Sequence, residues 1–176
     1  MKFTETAVSG AYLIDLEPFE DERGFLAETF VAAEFERRGL DPTVRQCNLS
    51  FNRQKGTLRG LHYQEAPMEE AKLVRCIRGR IWDVVLDVRP GSPTKDAHFG
   101  TELSAQNRSA LFVPAGCAHG FQTLVDESEA FYLISQVYSP EHSRGLRYDD
   151  PAFGISWPLP VTVISDRDAG WPLLRA

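Results

Sequence analysis

Lys72-Leu73-Val74-Arg75-Cys76-Ile77-Arg78-Gly79-Arg80-Ile81-Trp82-Asp83-Val84-Val85-Leu86-Asp87-Val88-Arg89 reads as two consecutive β-strands. Gly79 separates Lys72–Arg78 from Arg80–Arg89, and Pro90-Gly91-Ser92-Pro93 breaks the chain after the second. The pattern extends in both directions. Ala11–Leu16, Phe25–Phe30, Val44–Ser50 and Thr57–Tyr63 are predicted strands upstream; Ser109–Val113, Gly120–Val125 and Phe131–Tyr138 follow downstream. Thirteen Gly and eleven Pro are spread along the whole chain and supply the turns. One short helix is expected at Val31–Arg38, where Val31, Ala32 and Phe35 share a face before Gly39. Many short strands with one minor helix predict a mainly β sandwich or barrel.

Composition sets the outer limits. A chain of 176 residues, 43% hydrophobic and 25% charged, suits one globular domain spanning 1–176, with no linker or repeat to divide it. Nineteen basic against 25 acidic residues give a net charge of −6, which argues against a nucleic-acid partner. No apolar run approaches the roughly 20 residues of a membrane helix, and Met1-Lys2-Phe3-Thr4-Glu5 is not followed by the apolar core of a secretion signal. Cys47, Cys76 and Cys117 are odd in number, widely spaced and form no C-x-x-C, so a reducing compartment, the cytoplasm, is expected.

Polar residues in strand positions mark candidate sites. Tyr132, Ile134, Gln136 and Tyr138 would share one face of Phe131–Tyr138, with the two tyrosines roughly 20 Å apart. They could serve the two ends of an elongated ligand, or simply lie in the core or rim with satisfied hydroxyls. Arg59, His62 and Lys72 place cationic groups in neighbouring strands. Strict alternation separates Arg59 from His62, but a bulge at Gly60 would bring them onto one face. Buried without anionic partners these groups would be costly, so a cavity or an anionic ligand is expected.

Pro114-Ala115-Gly116-Cys117-Ala118-His119 resembles the P-x-G-x-x-H motif of cupins, small jelly-roll barrels. A metal-binding cupin also carries an H-x-H and a carboxylate; here that region offers only His62, so no metal is expected. The ordered series Asp21-Glu22-Arg23-Gly24-Phe25, Arg59-Gly60-Leu61-His62-Tyr63-Gln64, Lys72-Leu73-Val74-Arg75, Asp83–Arg89, Ser92-Pro93-Thr94, Ala118-His119-Gly120-Phe121, Tyr138-Ser139-Pro140, Asp150-Pro151, Trp157-Pro158 and Ser165-Asp166-Arg167-Asp168 resembles the dTDP-4-dehydrorhamnose 3,5-epimerase family over nearly the whole chain.

The resemblance implies a cupin-type jelly-roll barrel with short peripheral helices, assembled as a homodimer. It also implies inversion at carbons 3 and 5 of a nucleotide-linked 4-keto-6-deoxy sugar, with dTDP as the expected nucleotide, without metal or other cofactor. A ketone at carbon 4 acidifies both neighbouring C–H bonds, so such a reaction needs a base, an acid on the opposite face and donors at the enolate oxygen. By resemblance His62 is the base, Asp168 its orienting carboxylate, Tyr132 the acid and Lys72 the oxyanion donor, with His119 a further polar contact. Arg59 would hold pyrophosphate and Tyr138 stack on the base. Gln46, Asn48 and Arg167 would contact nucleotide or sugar, and Arg23, Phe25 and Glu28 would enter the neighbour's site. The residues alone leave Asp166 open as an alternative partner for His62, and Lys72 and Arg75 open as one charged strand face.

The chain departs from the family pattern at Cys47, where many relatives are acidic, at Ser143, where a glutamate is expected, and along the polar run Lys95–Gly100. These differences bear on base and sugar preference. A single-carbon epimerase, a keto-isomerase and a non-catalytic sugar-nucleotide binder are the competing readings.

Overall fold

The computed structural model describes residues 1–174; the last two residues of the expected 1–176 domain lie outside them. In chain order the strands are β1 (Lys2–Glu5), β2 (Tyr12–Asp15), β3 (Phe19–Asp21), β4 (Gly24–Leu26), β5 (Gln46–Asn52), β6 (Leu58–Gln64) and β7 (Lys72–Arg78). They continue with β8 (Arg80–Leu86), β9 (His98–Ser104), β10 (Ala110–Val113), β11 (Ala118–Thr123), β12 (Ser128–Ile134) and β13 (Ser143–Gly145). Two short helices, α1 (Ala32–Glu36) and α2 (Asp166–Ala169), lie outside the sheets.

A six-stranded sheet in the order β1-β2-β10-β7-β12-β5 faces a five-stranded sheet in the order β13-β6-β11-β8-β9, and β3-β4 form a separate hairpin. Every ladder between these strands is antiparallel. The result is the mainly β, two-sheet jelly roll expected from the sequence.

Alternation explains the layers. Val74 and Cys76 of β7, Leu111 and Val113 of β10 and Ala130 of β12 meet Ile81 and Val85 of β8, Leu103 of β9 and Phe121 of β11 between the sheets. The other face of the five-stranded sheet, through Leu61, Val84, Leu86 and Ala118, is covered by Phe153, Ile155 and Trp157. Among the described residues no helix is long and apolar enough to cross a membrane.

Several boundaries shift from the sequence reading. Phe25–Phe30 is a strand only at Gly24–Leu26. Beyond it the chain leaves its ladder, and Phe30 packs on Phe35 of α1. Phe131–Tyr138 stops being a strand at Ile134. Its two neighbours begin opposite that residue, at Gln46 and Lys72, so the ladder runs out there. Tyr138 therefore does not share a strand face with Tyr132, and the 20 Å separation along one strand does not apply. His98, within the polar run Lys95–Gly100, opens β9, which pairs residue by residue with β8.

Cys76 and Cys117 are buried. Burial pushes their thiols up, to about 11 and about 12 respectively. Because the thiolate is the reacting form, a disulfide reagent at neutral pH is expected to leave both unmodified in the native protein and to label them once denaturant is added. Mass mapping of either residue as labelled in the native state would contradict this packing.

Candidate active site

At one end of the sandwich the inward-facing positions change from apolar to polar. On β7 the core residues Cys76 and Val74 give way to Lys72; on β12 Ala130 gives way to Tyr132. Gln46 and Asn48 of β5 continue the same wall. The opposite wall is β6 and β11, with Arg59, His62 and His119. Between them lies a cavity of about 410 Å³, within the range of ligand pockets.

Arg59 and His62 reach this cavity together because of an irregularity in β6. His119 pairs with His62 and Phe121 with Arg59, so two steps along β11 oppose three along β6. Gly60 absorbs the extra residue with φ of +111°. A Cβ there would stand 2.6 Å from Gly120 Cα and 2.7 Å from the His119 carbonyl oxygen. The bulge expected at Gly60 is therefore present, and glycine is required by both conformation and space.

His62 Nε2 is 2.6 Å from Asp168 Oδ1. Asp168 Oδ2 also accepts the Gly60 backbone N–H at 3.2 Å, and Ser165 Oγ caps α2 by accepting the Asp168 N–H. Asp168 is only 4% exposed, whereas the His62 side chain is 39% exposed. Burial works to raise the Asp168 carboxyl, but the hydrogen bond and charge of His62, with the Gly60 and Ser165 contacts, hold it below the usual range. Asp168, rather than Asp166, is the His62 partner. Since an ionised carboxylate only accepts hydrogen bonds, Nε2 carries the proton and Nδ1 is left as the basic nitrogen.

Lys72 is 7% exposed, and its ammonium donates to the His62 carbonyl oxygen at 3.2 Å and pairs with Glu70 Oε1 at 3.0 Å. Arg75 belongs to the opposite face of β7 and reaches the Thr29 carbonyl, so the two cations do not form one charged strand face. His119 Nε2 lies 2.8 Å from Asp83 Oδ1, and Asp83 is fully buried. Tyr132 sits on the opposite sheet from His62, and burial pushes its phenol above the ordinary range, so it carries its proton at neutral pH.

At the cavity mouth the backbone N–H of Tyr138 donates to Gln46 Oε1 at 3.1 Å, and Gln46 donates to Asn48. Gln64 secures the same loop by accepting the Ser139 N–H at 2.6 Å. Hydrogen bonds with Arg167 and Ser143 lower the Tyr138 hydroxyl, and Arg167 also donates to Ser143 Oγ. The position noted as a departure from glutamate is thus a hydroxyl that orients an arginine.

Ten of the residues singled out in the sequence line this one cavity: Gln46, Asn48, Arg59, His62, Lys72, His119, Tyr132, Tyr138, Arg167 and Asp168. Arg23, Phe25 and Glu28 do not. Arg23 pairs with Asp21 in the exposed β3-β4 hairpin, and Phe25 lies under Arg108 at 4.5 Å. Sequence reasoning missed Glu70 and Asp83. Asp83 had a readable signal, a lone carboxylate on the same face as Ile81 and Val85 in an apolar strand. Among the described residues no group of three or more His, Cys, Asp or Glu is placed to hold a metal ion.

An aromatic and cationic mouth, a deep ammonium, and an oriented imidazole facing a phenol can move protons at a carbon held between the sheets. The family model described as dTDP-4-dehydrorhamnose 3,5-epimerase matches residues 5–176. A dTDP-4-dehydrorhamnose 3,5-epimerase of Sinorhizobium fredii is 44% identical over 175 residues, covering 99% of this chain and 90% of the relative. Among solved structures, the dTDP-4-dehydrorhamnose 3,5-epimerase of Elizabethkingia anophelis superposes with a TM-score of 0.96 at 36% identity, covering 99% of this chain and 96% of that one. The dTDP-6-deoxy-D-glucose-3,5-epimerase of Legionella pneumophila, solved in complex with dTDP-4-keto-L-rhamnose, gives 0.90 at 37% identity over 98% of this chain and 92% of that one. Fold, ordered motifs and full-length similarity agree, and the chain belongs to the dTDP-4-dehydrorhamnose 3,5-epimerase family.

Proposed function

We propose that this chain inverts carbons 3 and 5 of dTDP-4-dehydro-6-deoxy-D-glucose, giving dTDP-4-dehydro-L-rhamnose. The observation that carries the reading is the placement of His62 and Tyr132 on opposing sheets across one cavity, with Lys72 on the Tyr132 wall and its ammonium reaching the His62 carbonyl on the other. His62 Nδ1 takes the proton from the carbon next to the ketone, and the C–H electron pair moves into the carbonyl to form an enolate. Lys72 donates to the oxygen that gains the charge. Asp168 holds the imidazole and stabilises the imidazolium. Tyr132 then gives its phenolic proton to the same carbon from the other side, which inverts it. Proton exchange with solvent removes the proton from His62 and restores the one on Tyr132, and the second carbon repeats the sequence.

Nucleotide binding falls to the mouth of the cavity. Arg59 and Arg167 bind the diphosphate, a task suited to the guanidinium fork. Tyr138 stacks on the base, and Gln46 and Asn48 supply polar contacts. The homodimer implied by the family brings Arg23, Phe25 and Glu28 of one hairpin region to the partner's site. The exposure of Phe19, Phe25 and Leu26, at 72%, 45% and 76%, supports a covering surface for this hairpin. The cytoplasm is the compartment of this reading, and three free cysteines support it.

Incubation with dTDP-4-keto-6-deoxyglucose in deuterated water tests the function directly. Label at both carbons 3 and 5, with an L-configured product, is the expected result. Label at one carbon replaces the reading by a single-carbon epimerase, and a folded protein that binds the nucleotide without exchange is a binder.

A further inference from the structure

Glu70 is a carboxylate inside an anion-binding cavity, where it neither neutralises substrate charge nor belongs to the motifs that carry the family likeness. Its side chain is 11% exposed and lines the same cavity as His62 and Lys72. It lies two residues before Lys72 on the extended chain entering β7, so both side chains fall on one side. Glu70 shares the lining of this cavity with Tyr132 and Tyr138.

We propose that Glu70 is a positioning residue that, together with the His62 carbonyl oxygen, aims the third N–H donor of Lys72 at the substrate's 4-keto oxygen. A lysine ammonium has three donors. The Glu70 carboxylate takes one at 3.0 Å and the His62 carbonyl takes a second at 3.2 Å. The third has no partner among these contacts, and Lys72 lines the cavity. Lysine is a compact charge on a flexible four-carbon stem, and one anchor leaves that stem free to swing. Two anchors fix the ammonium, and one of them is the backbone of the base itself. The donor that stabilises the enolate is thereby held in register with the imidazole that forms it. Preorganisation of this kind acts on the charge that develops in the transition state, not on the neutral ketone.

This inference rests on the proposed epimerase reading. Its test uses the full chain with dTDP-4-keto-6-deoxyglucose in deuterated water, with nucleotide affinity measured on the same preparations. Glu70→Ala is expected to lower kcat for both exchange and inversion by about 10- to 100-fold, less than the loss of an oxyanion donor outright. KM and dTDP affinity are expected to stay within about twofold, because the ground-state ketone carries no charge for Lys72 to meet. Glu70→Gln keeps an acceptor oxygen in place and is expected to recover most of the loss. If Glu70→Ala does not fold, Glu70→Asp retains the charge but withdraws it by one methylene, and a loss of about 10-fold in kcat is then expected.

A Glu70→Ala enzyme with wild-type kcat, a loss confined to KM, or a Glu70→Gln enzyme as slow as the alanine variant overturns the positioning role; so does full activity in Glu70→Asp. A wild-type protein that leaves the ketone unexchanged overturns the epimerase reading and this inference with it. An active wild type with unaffected Glu70 variants removes the inference alone.

Discussion

His62→Ala is expected to abolish deuterium exchange at both carbon 3 and carbon 5, lowering kcat by about 10³- to 10⁴-fold while dTDP affinity stays within about twofold. A positioned general base contributes roughly 10²- to 10⁴-fold, and the upper part of that range applies because His62 lines the cavity with its Nε2 held by Asp168. The carboxylate behind it is fixed by the Gly60 N–H as well as by the ring, so removing the ring leaves Asp168 seated. Lys72 keeps its backbone acceptor, since the contact is to the His62 carbonyl oxygen, which alanine retains. The nucleotide contacts proposed for Arg59, Tyr138 and Arg167 are made by other side chains of the same cavity. The two losses, of exchange and of inversion, should therefore be equal. A folded His62→Ala protein that exchanges either carbon at near wild-type rate would assign the base to another group, with His119 and its buried Asp83 partner the next imidazole to examine.

The Asp168 carboxyl carries a pH signature whose sign follows from its depressed value. Its folded-state pKa lies below the unfolded one, so the pair with His62 contributes stability that is present above the unfolded carboxyl pKa. That stability is lost as pH falls through the depressed value. Asp168 is thus ionised throughout the neutral range and holds the imidazole there as a carboxylate.

How much of this could be read from the chain differs by kind of information. The polar interruptions of strand periodicity led to Arg59, His62 and Lys72, because a charge in an otherwise apolar strand marks itself, whereas His119 came from the likeness to the cupin P-x-G-x-x-H motif. The bulge at Gly60 was readable for the same reason, as two cations three residues apart make sense on one face only if a residue is inserted between them. Strand ends were less legible. Nothing in Ser135-Gln136-Val137-Tyr138 announces that both partner strands begin opposite Ile134, so the chain looked like a longer strand. The run Lys95–Gly100 was marked only as a polar departure from the family pattern, yet its last three residues open β9, an edge strand that needs only one apolar face.

Glu70 was invisible for a different reason. It sits in Met68-Glu69-Glu70, which on composition is an ordinary solvated turn, and only the packing of the sheet that holds β7 against the sheet that holds β6 brings the Lys72 ammonium between the His62 carbonyl and that carboxylate. Long-range contact, not local pattern, defines it.

The second large effect separates two tyrosines that line one cavity but belong to different local structures. Tyr132→Phe is expected to lower net inversion by about 10²- to 10³-fold while leaving dTDP affinity unchanged. The substitution keeps the ring packed against the core next to Val74, its register partner on β7, and removes only the hydroxyl. Proton abstraction still proceeds from His62 on the other sheet. The enolate is then reprotonated on the face it came from, so deuterium enters with retained configuration and exchange falls less than inversion. Tyr138→Ala acts at the mouth, outside the strand and half exposed, where the ring offers a stacking surface and its hydroxyl meets Arg167 and Ser143. Base–aromatic stacking is worth about 1–3 kcal/mol in nucleic-acid complexes, which corresponds to roughly 5- to 150-fold in affinity. The loss is expected in KM and dTDP affinity, with kcat within about threefold. Calorimetric titration with dTDP, run beside inversion and exchange kinetics, distinguishes the two. If Tyr132→Phe mainly weakens nucleotide binding while Tyr138→Ala binds normally and fails to invert, the roles are exchanged. The cavity would then run in the opposite direction, with the sugar at the mouth and the base against the core. Lys72, Glu70 and His62 argue against that orientation, because the ammonium and its two anchors are at the deep end, where a developing negative charge is least screened by water and gains the most from a fixed donor.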